Sequence, residues 1–236
     1  MKTKIISTIL LVLLTTIGFS QNLTVDELKT TNGVLKIQPI THGSLILYHS
    51  NKTIYVDPYG GFKLYKDLKS PDIILITDIH GDHLDFKTLD SIDTSKTIFI
   101  VPQEVSLKMP KKYKAKTTIL NNGQGIHRFD FFIKAIPMYN LPDDNTSRHP
   151  KGRGNGYILN IDNTQVYISG DTEDIQEMRN LQNIDIAFVC MNLPYTMDIN
   201  QAASAVLEFQ PKVIYPYHYR GTNGLSDIEE FKNLVQ

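Results

Sequence analysis

Thr77-Asp78-Ile79-His80-Gly81-Asp82-His83 is the stretch whose reading decides the fold. It follows Asp72-Ile73-Ile74-Leu75-Ile76, an apolar run of strand length and too short for a helix. A Gly-marked turn comes next, then Leu84 to Ile92, a polar-apolar run that can form a helix. Asp78, His80, Asp82 and His83 thus fall within six residues at the carboxyl end of a strand. Open α/β sheets place their ligands there. Aspartate offers oxygen and neutral imidazole offers nitrogen, so alternating them along a turn lets two side chains address one metal and two its neighbour. The plain alternative is a solvated loop with helix-capping aspartates. A His/Asp cluster this dense weighs against it.

The rest of the chain sets bounds. With 236 residues it can bury the core of one full domain and is short for two. Hydrophobic residues at 41% and charged residues at 21% exclude a disordered chain. The net charge is -1, and no basic excess advertises nucleic acid or an anionic membrane. The lone Cys190 excludes an intramolecular disulfide and a cysteine-rich zinc site, and it ends an apolar run, Ile184 to Cys190, as a core residue would. At the N-terminus, Lys2 and Lys4 precede a diluted apolar stretch, Ile5 to Ile17, and then Gly18-Phe19-Ser20. That is the grammar of a secretory signal, too short and weak for a comfortable membrane span. We therefore expect a signal peptide over residues 1–20, a single domain over 21–236, export to a bacterial periplasm and no stable membrane insertion. Oligomeric state is left open.

Val34 to Ile40, Ser44 to His49 and Lys52 to Val56 read as strands, with Asp57-Pro58-Tyr59-Gly60-Gly61 as a closing turn. Ile98 to Val101 is a further strand and Gln103 to Met109 a short helix. Gly125 to Ile136 favours extended structure, and Gly156 to Ile161 with Gln165 to Ser169 a hairpin. Helices are expected over Glu173 to Leu181, after an Asn200 cap, and after a Ser226/Glu229 capping box. Val213 to Tyr217 is the last strand. Strands first and helix-strand units later suggest four layers, with sheets in the middle and helices outside.

Two further stretches share the local grammar of the first. Ser169-Gly170-Asp171 ends a strand on a glycine turn, and Pro216-Tyr217-His218 ends another. Here the chain resembles the metallo-β-lactamase superfamily, in the branch that includes ascorbate-phosphate lactonases and N-acyl phospholipid phosphodiesterases. The resemblance covers about Leu35 to Arg220 and includes Thr41-His42-Gly43-Ser44 and Tyr55-Val56-Asp57-Pro58. The family signature His-x-His-x-Asp-His stands here as Asp78-Ile79-His80-Gly81-Asp82-His83. The resemblance implies an α/β fold, the four-layer αββα sandwich. It implies that Asp78 and His80 serve one metal and Asp82 and His83 the other, that Asp171 bridges them, and that His218 completes the second. Asp57 would orient a ligand histidine from behind, and His42 would line the pocket.

The chain departs from that pattern twice. Asp78 stands where the signature opens with histidine, and the family's middle histidine falls on Asn140 by local context. His149, in the polar loop Leu141 to Gly156, is the nearer imidazole, provided the loop folds inward. One or two divalent metals are implied. Zinc is the first expectation, and manganese or iron are alternatives at the oxygen-rich first site. The same loop carries Arg148, Lys151 and Arg153, and we expect Lys151 or Arg153 to clamp an anionic small-molecule substrate, with Tyr195 beside it. The implied activity is an exported metal-dependent hydrolase using a metal-bound hydroxide on an ester, lactone or phosphodiester. Asp82 or Asp171 would hold the nucleophile. The alternative is a degenerate metal- or anion-binding protein of the same fold.

Overall fold

The computed structural model describes residues 25–144 and 146–236; the signal expected over residues 1–20 lies outside them. The first half of the chain builds a seven-stranded sheet whose spatial order follows the chain. In it β1 (Asp26–Lys29), β2 (Val34–Thr41), β3 (Ser44–His49) and β4 (Lys52–Val56) form an antiparallel meander. From β4 the sheet turns parallel through β5 (Ile73–Leu75), β6 (Ile98–Val101) and β7 (Thr117–Ile119). Parallel neighbours need crossovers. These carry α1 (Phe86–Leu89), α2 (Gln103–Lys108) and α3 (Lys111–Lys114).

The second sheet has six strands, ordered β13-β12-β11-β10-β9-β8. Its strands β8 (Gly125–Arg128), β9 (Phe131–Met138), β10 (Gly154–Ile161) and β11 (Thr164–Ile168) pair antiparallel. The strands β12 (Ile186–Cys190) and β13 (Val213–Tyr217) extend it in parallel, joined through α4 (Gln176–Arg179) and α5 (Ile199–Phe209). A two-stranded ribbon, β14 (Arg220–Gly221) with β15 (Gly224–Leu225), precedes the closing α6 (Ile228–Val235).

Strand alternation separates the layers. Leu45, Leu47, Ile54, Val56, Ile73 and Leu75 pack in one cluster with Ile133, Ala135, Leu159 and Ile161 of the second sheet. Their sequence neighbours Ile46, Tyr55 and Ile74 point the other way, into a cluster with Leu89, Val105 and Tyr113 of the first three helices and with Met109, which follows α2. On the far side α5 lays Ala202, Ala203 and Val206 against the second sheet. The result is the expected four-layer sandwich.

Four helix starts differ from the sequence reading, and of these α4 begins at Gln176, with Ile175 at its cap position, in place of Glu173. The run after His83 is a single helical turn, because Asp85 accepts from the Lys87 and Thr88 backbone N–H groups and starts the helix late. Asp198, two residues before Asn200, caps α5 in a reciprocal box with Gln201. Asp227, not Ser226, caps α6, while the Ser226 hydroxyl donates to the Met191 carbonyl. No helix among the described residues is long and apolar enough to cross a membrane.

Candidate metal centre

Strand ends from both sheets converge on one edge of the sandwich. Asp57 follows β4, Asp78 to His83 follow β5, Asp171 follows β11 and His218 follows β13. His42 lies in the β2–β3 turn and His149 in the β9–β10 connection. The backbone is bent hard to aim them: His42, Asp57 and His218 hold φ of 54°, 43° and 47°, left-handed values costly for residues with a Cβ. The His218 N–H donates to the His42 carbonyl at 3.1 Å. Gly43 makes that approach feasible, since a Cβ there would lie 2.7 Å from His218 Cδ2.

Asp171 is the hub. His83 Nε2 and His149 Nε2 each lie 3.2 Å from its Oδ2, and His218 Nε2 lies 3.5 Å from its Oδ1. Asp82 closes the second half, with Oδ2 3.4 Å from His218 Nε2 and 3.2 Å from His42 Nε2. The rings of His83 and His218 stack at 4.9 Å, with planes 7° apart. His83 Nε2, His149 Nε2, Asp171 Oδ1 and both His218 ring nitrogens are buried without a hydrogen-bond partner in the protein. Buried polar atoms are rarely left so. Unpaired nitrogens and oxygens converging within 4.8 Å of one another, as in the group His83, Asp171 and His218, are what a divalent metal satisfies. This half of the centre fits the implied metal.

Two of these imidazoles, His83 and His149, are held from behind. Asp57, fully buried, accepts from the Thr77 N–H at 2.8 Å and the Thr77 hydroxyl at 2.6 Å, and pairs with His83 Nδ1 at 2.8 Å. His149 Nδ1 lies 2.8 Å from Asn140 Oδ1, which also takes the His149 backbone N–H at 2.8 Å. Asn140 therefore turns its oxygen toward the back of the His149 ring, and the imidazole, not the amide, faces Asp171. Such contacts fix the tautomer and leave Nε2 free to ligate.

Charge follows geometry. Burial pushes Asp171 upward, but the His218 and His83 charges hold its carboxyl well below the usual carboxylate range. Asp82 is likewise held low against burial by the His218 and His42 imidazoles beside it. Burial works against a charged His83 as well, yet Asp171 and Asp57 raise its imidazole well above the ordinary value. Burial pushes the Asp57 carboxyl up as well, so before a metal binds the Asp57–His83 pair favours keeping a proton.

On the other side, Asp78, His80 and His149 form a second group of donors. Asp78 is fully buried, and its Oδ2 lies 2.9 Å from His80 Nδ1. Arg153 meets the same carboxylate twice, Nε to Oδ1 at 3.1 Å and Nη2 to Oδ2 at 3.0 Å. Hydrogen bonding to His80 and the charges of His83 and Arg153 outweigh burial and hold Asp78 below the carboxylate range.

Above the donors opens a cleft of about 160 Å³, lined by His42, His80, Asp82, Asp171, Asn192, Tyr195, Arg148 and Arg220. The loop cations thus sort differently from the expectation. Lys151 lies outside this lining, paired with Glu177 at 2.7 Å, and Arg153 lies beneath it on Asp78. Arg148 faces the cleft, its guanidinium 4.3 Å over the Tyr195 ring. Tyr195 also reaches the Thr222 hydroxyl at 2.9 Å. Sequence reasoning assigned no role to Arg220 or Asn192. The only signal was their place at strand ends, two residues past His218 and Cys190. Cys190 is buried, its thiol pushed up to about 11 by burial.

With this geometry in hand, the likenesses to known proteins are informative. Residues 36–218 match the beta-lactamase superfamily domain. The UPF0173 metal-dependent hydrolase of Lysinibacillus sphaericus is 30% identical, the alignment covering 83% of this chain and 90% of that one. The counterpart from Pyrococcus horikoshii is 29% identical over 86% of this chain and 92% of its own. A crystal structure from Parabacteroides distasonis, described as a metal-dependent hydrolase, is similar at a TM-score of 0.80 and 42% identity, covering 91% and 94% of the two chains. Match length, identity and donor geometry agree: the chain belongs to the metallo-β-lactamase superfamily and, within it, to the UPF0173 metal-dependent hydrolases.

Proposed function

We propose that this hydrolase acts on a small anionic ester, lactone or phosphodiester, with a divalent metal, zinc first, on Asp82, His83, Asp171 and His218. The observation that carries the substrate reading is the pair Arg148 and Arg220 on the cleft wall, neither of which has a carboxylate partner among the described residues. An unpaired guanidinium beside a reaction centre matches a phosphate or carboxylate fork to fork. A larger cleft of about 410 Å³ shares His42 and Arg220 with the first and is walled by Ile40, Leu45, Phe188 and Leu225, which supports a substrate with an apolar part next to its charge.

A divalent ion at this centre supplies Lewis acidity and a hydrolytic nucleophile at neutral pH. The side chains do the rest. Asp82 and Asp171, held anionic, accept hydrogen bonds from the attacking water and orient it. A proton taken from that water at Asp82 passes to the leaving oxygen. Asp57 and Asn140 keep His83 and His149 aimed at Asp171. Arg148 and Arg220 bind the substrate anion, and Tyr195, fixed by Thr222 and Arg148, offers a hydroxyl to the same anion.

For location, we propose export, from the N-terminal grammar of Lys2 through Ser20. N-terminal sequencing of the protein from its own cells, beginning near Gln21, is the expected result, and an intact Met1 in all of it would refute export. For activity, a panel of chromogenic phosphodiesters, lactones and carboxylic esters of short and long acyl chain should give turnover on at least one anionic member, abolished by chelation and restored by metal. A fully metal-loaded protein that turns over none of them would favour the binding-protein reading instead.

A further inference from the structure

The group formed by Asp78, His80 and His149 has the donor atoms of a cation site, and a cation of the protein's own already reaches into it. The Arg153 guanidinium spans both oxygens of Asp78, Nε to Oδ1 at 3.1 Å and Nη2 to Oδ2 at 3.0 Å, with Nη2 3.4 Å from His80 Nε2. Oδ2 also lies 3.3 Å from the His80 backbone N–H and 2.9 Å from His80 Nδ1. A carboxylate has about four acceptor directions, so this one is close to saturated by the protein itself.

Electrostatics point the same way. Asp78 is fully buried, and a buried carboxylate without a counter-charge is severely penalised. Arginine supplies that counter-charge permanently, in a planar fork that suits bidentate pairing. A metal ligated by Asp78 and His80 Nε2 would need to sit about 2.0–2.2 Å from each. Nη2 already occupies the approach to both atoms, and its charge would repel a divalent ion strongly at that depth. The ion and the guanidinium compete for one place. Among the described residues no comparable cation contacts the other half of the centre, where His83 Nε2, Asp171 Oδ1 and the His218 ring nitrogens have no hydrogen-bond partner.

We propose that Arg153 is a resident cation standing in for one of two metals, so that the protein holds a single exchangeable metal. That metal sits on the His83, Asp171 and His218 side, an assignment that rests on the function proposed above. Arg153 is then a positioning residue. It neutralises Asp78, and through Asp78 it holds His80 at the floor of the cleft. His149, 3.2 Å from Asp171, remains as a neighbour of the hub.

The test is metal stoichiometry, read by elemental analysis after equilibration with excess cobalt and exhaustive dialysis. Wild-type protein and the charge-keeping Arg153→Lys variant should each retain close to one cobalt per chain. Asp78→His/Arg153→Ala, which removes both charges together, should retain close to two. Arg153→Ala alone, if the double variant does not fold by circular dichroism, should also approach two, as the freed Asp78 recruits a second ion. Two equally retained ions in the wild type would overturn the proposal while leaving the metal centre intact, as would Arg153-deleted variants that fold and stay at one. No retained ion in the wild type would overturn the metal assignment and the proposal together.

Discussion

His83 sets how the centre responds to pH. Its imidazole is raised well above 6.5 in the folded protein by Asp171 and Asp57, so at neutral pH it carries a proton. A metal needs the neutral nitrogen, so binding must expel that proton, and apparent affinity falls as pH drops below the raised value. Calorimetric titration at pH 7 in two buffers of different ionisation enthalpy should report about one proton released per metal bound; zero net release would contradict this. The anion contacts give a second prediction at the same scale. Arg148→Ala should raise KM for an anionic substrate about ten- to hundredfold with a smaller change in kcat, the loss of a charge-assisted hydrogen bond. Lys151→Ala, whose partner is Glu177, should leave KM within about twofold, as surface pairs contribute little. Equal effects from the two would place the anion elsewhere. Asp78, His80, Asp82, His83, Asp171 and His218 were legible in sequence because they follow strand ends in recognisable phrases, whereas His149 lies inside the β9–β10 loop. The sorting of Arg148, Lys151 and Arg153 was not. Their loop has no periodicity, and the Arg153 partner lies 75 residues away, set by tertiary folding alone.

Strands and helices differ in how much of them the chain announces. The observed strands Ser44–His49, Lys52–Val56, Ile98–Val101 and Val213–Tyr217 match the sequence reading residue for residue, because short runs rich in β-branched and aromatic residues are bounded there by polar or turn residues. Single-turn helices such as Phe86–Leu89 and Gln176–Arg179 are too short to show a 3.6-residue period, and Asp85, Asp198 and Asp227 competed with other plausible caps. The edge strands Asp26–Lys29 and Thr117–Ile119 are short, partly exposed and weakly patterned. Two substitutions separate scaffold from site. Asp198→Ala removes the α5 cap and should cost about 1 kcal/mol in urea unfolding with metal content unchanged. Gly43→Ala should do the reverse, retaining secondary structure while a Cβ driven into His218 lowers metal affinity. Unchanged metal affinity in the glycine variant would mean that His218 does not ligate.

At the scale of the molecule, the centre joins the two sheets. Asp82 and His83 follow a strand of the first, and Asp171 and His218 follow strands of the second. A ligand held between them stabilises the folded state by mass action, about 2.7 kcal/mol at a free metal concentration a hundred times Kd. Chelation should therefore lower the thermal midpoint by several degrees, and excess metal should restore it; an unmoved midpoint would argue against a shared ion. This joining was the part least legible in local pattern. Apolar periodicity assigns strands to layers but not to neighbours, and it does not say that each sheet is laid down in chain order, β1 to β7 and then β8 to β13. The phrases that carry the resemblance supplied the architecture that periodicity could not. The most direct test of the metal centre is an anomalous difference map from a metal-equilibrated crystal, recorded on both sides of that metal's absorption edge. A metal at this centre gives one dominant peak in coordination contact with His83 Nε2, His218 Nε2 and Asp171; a dominant peak elsewhere, or none at these atoms, would refute it.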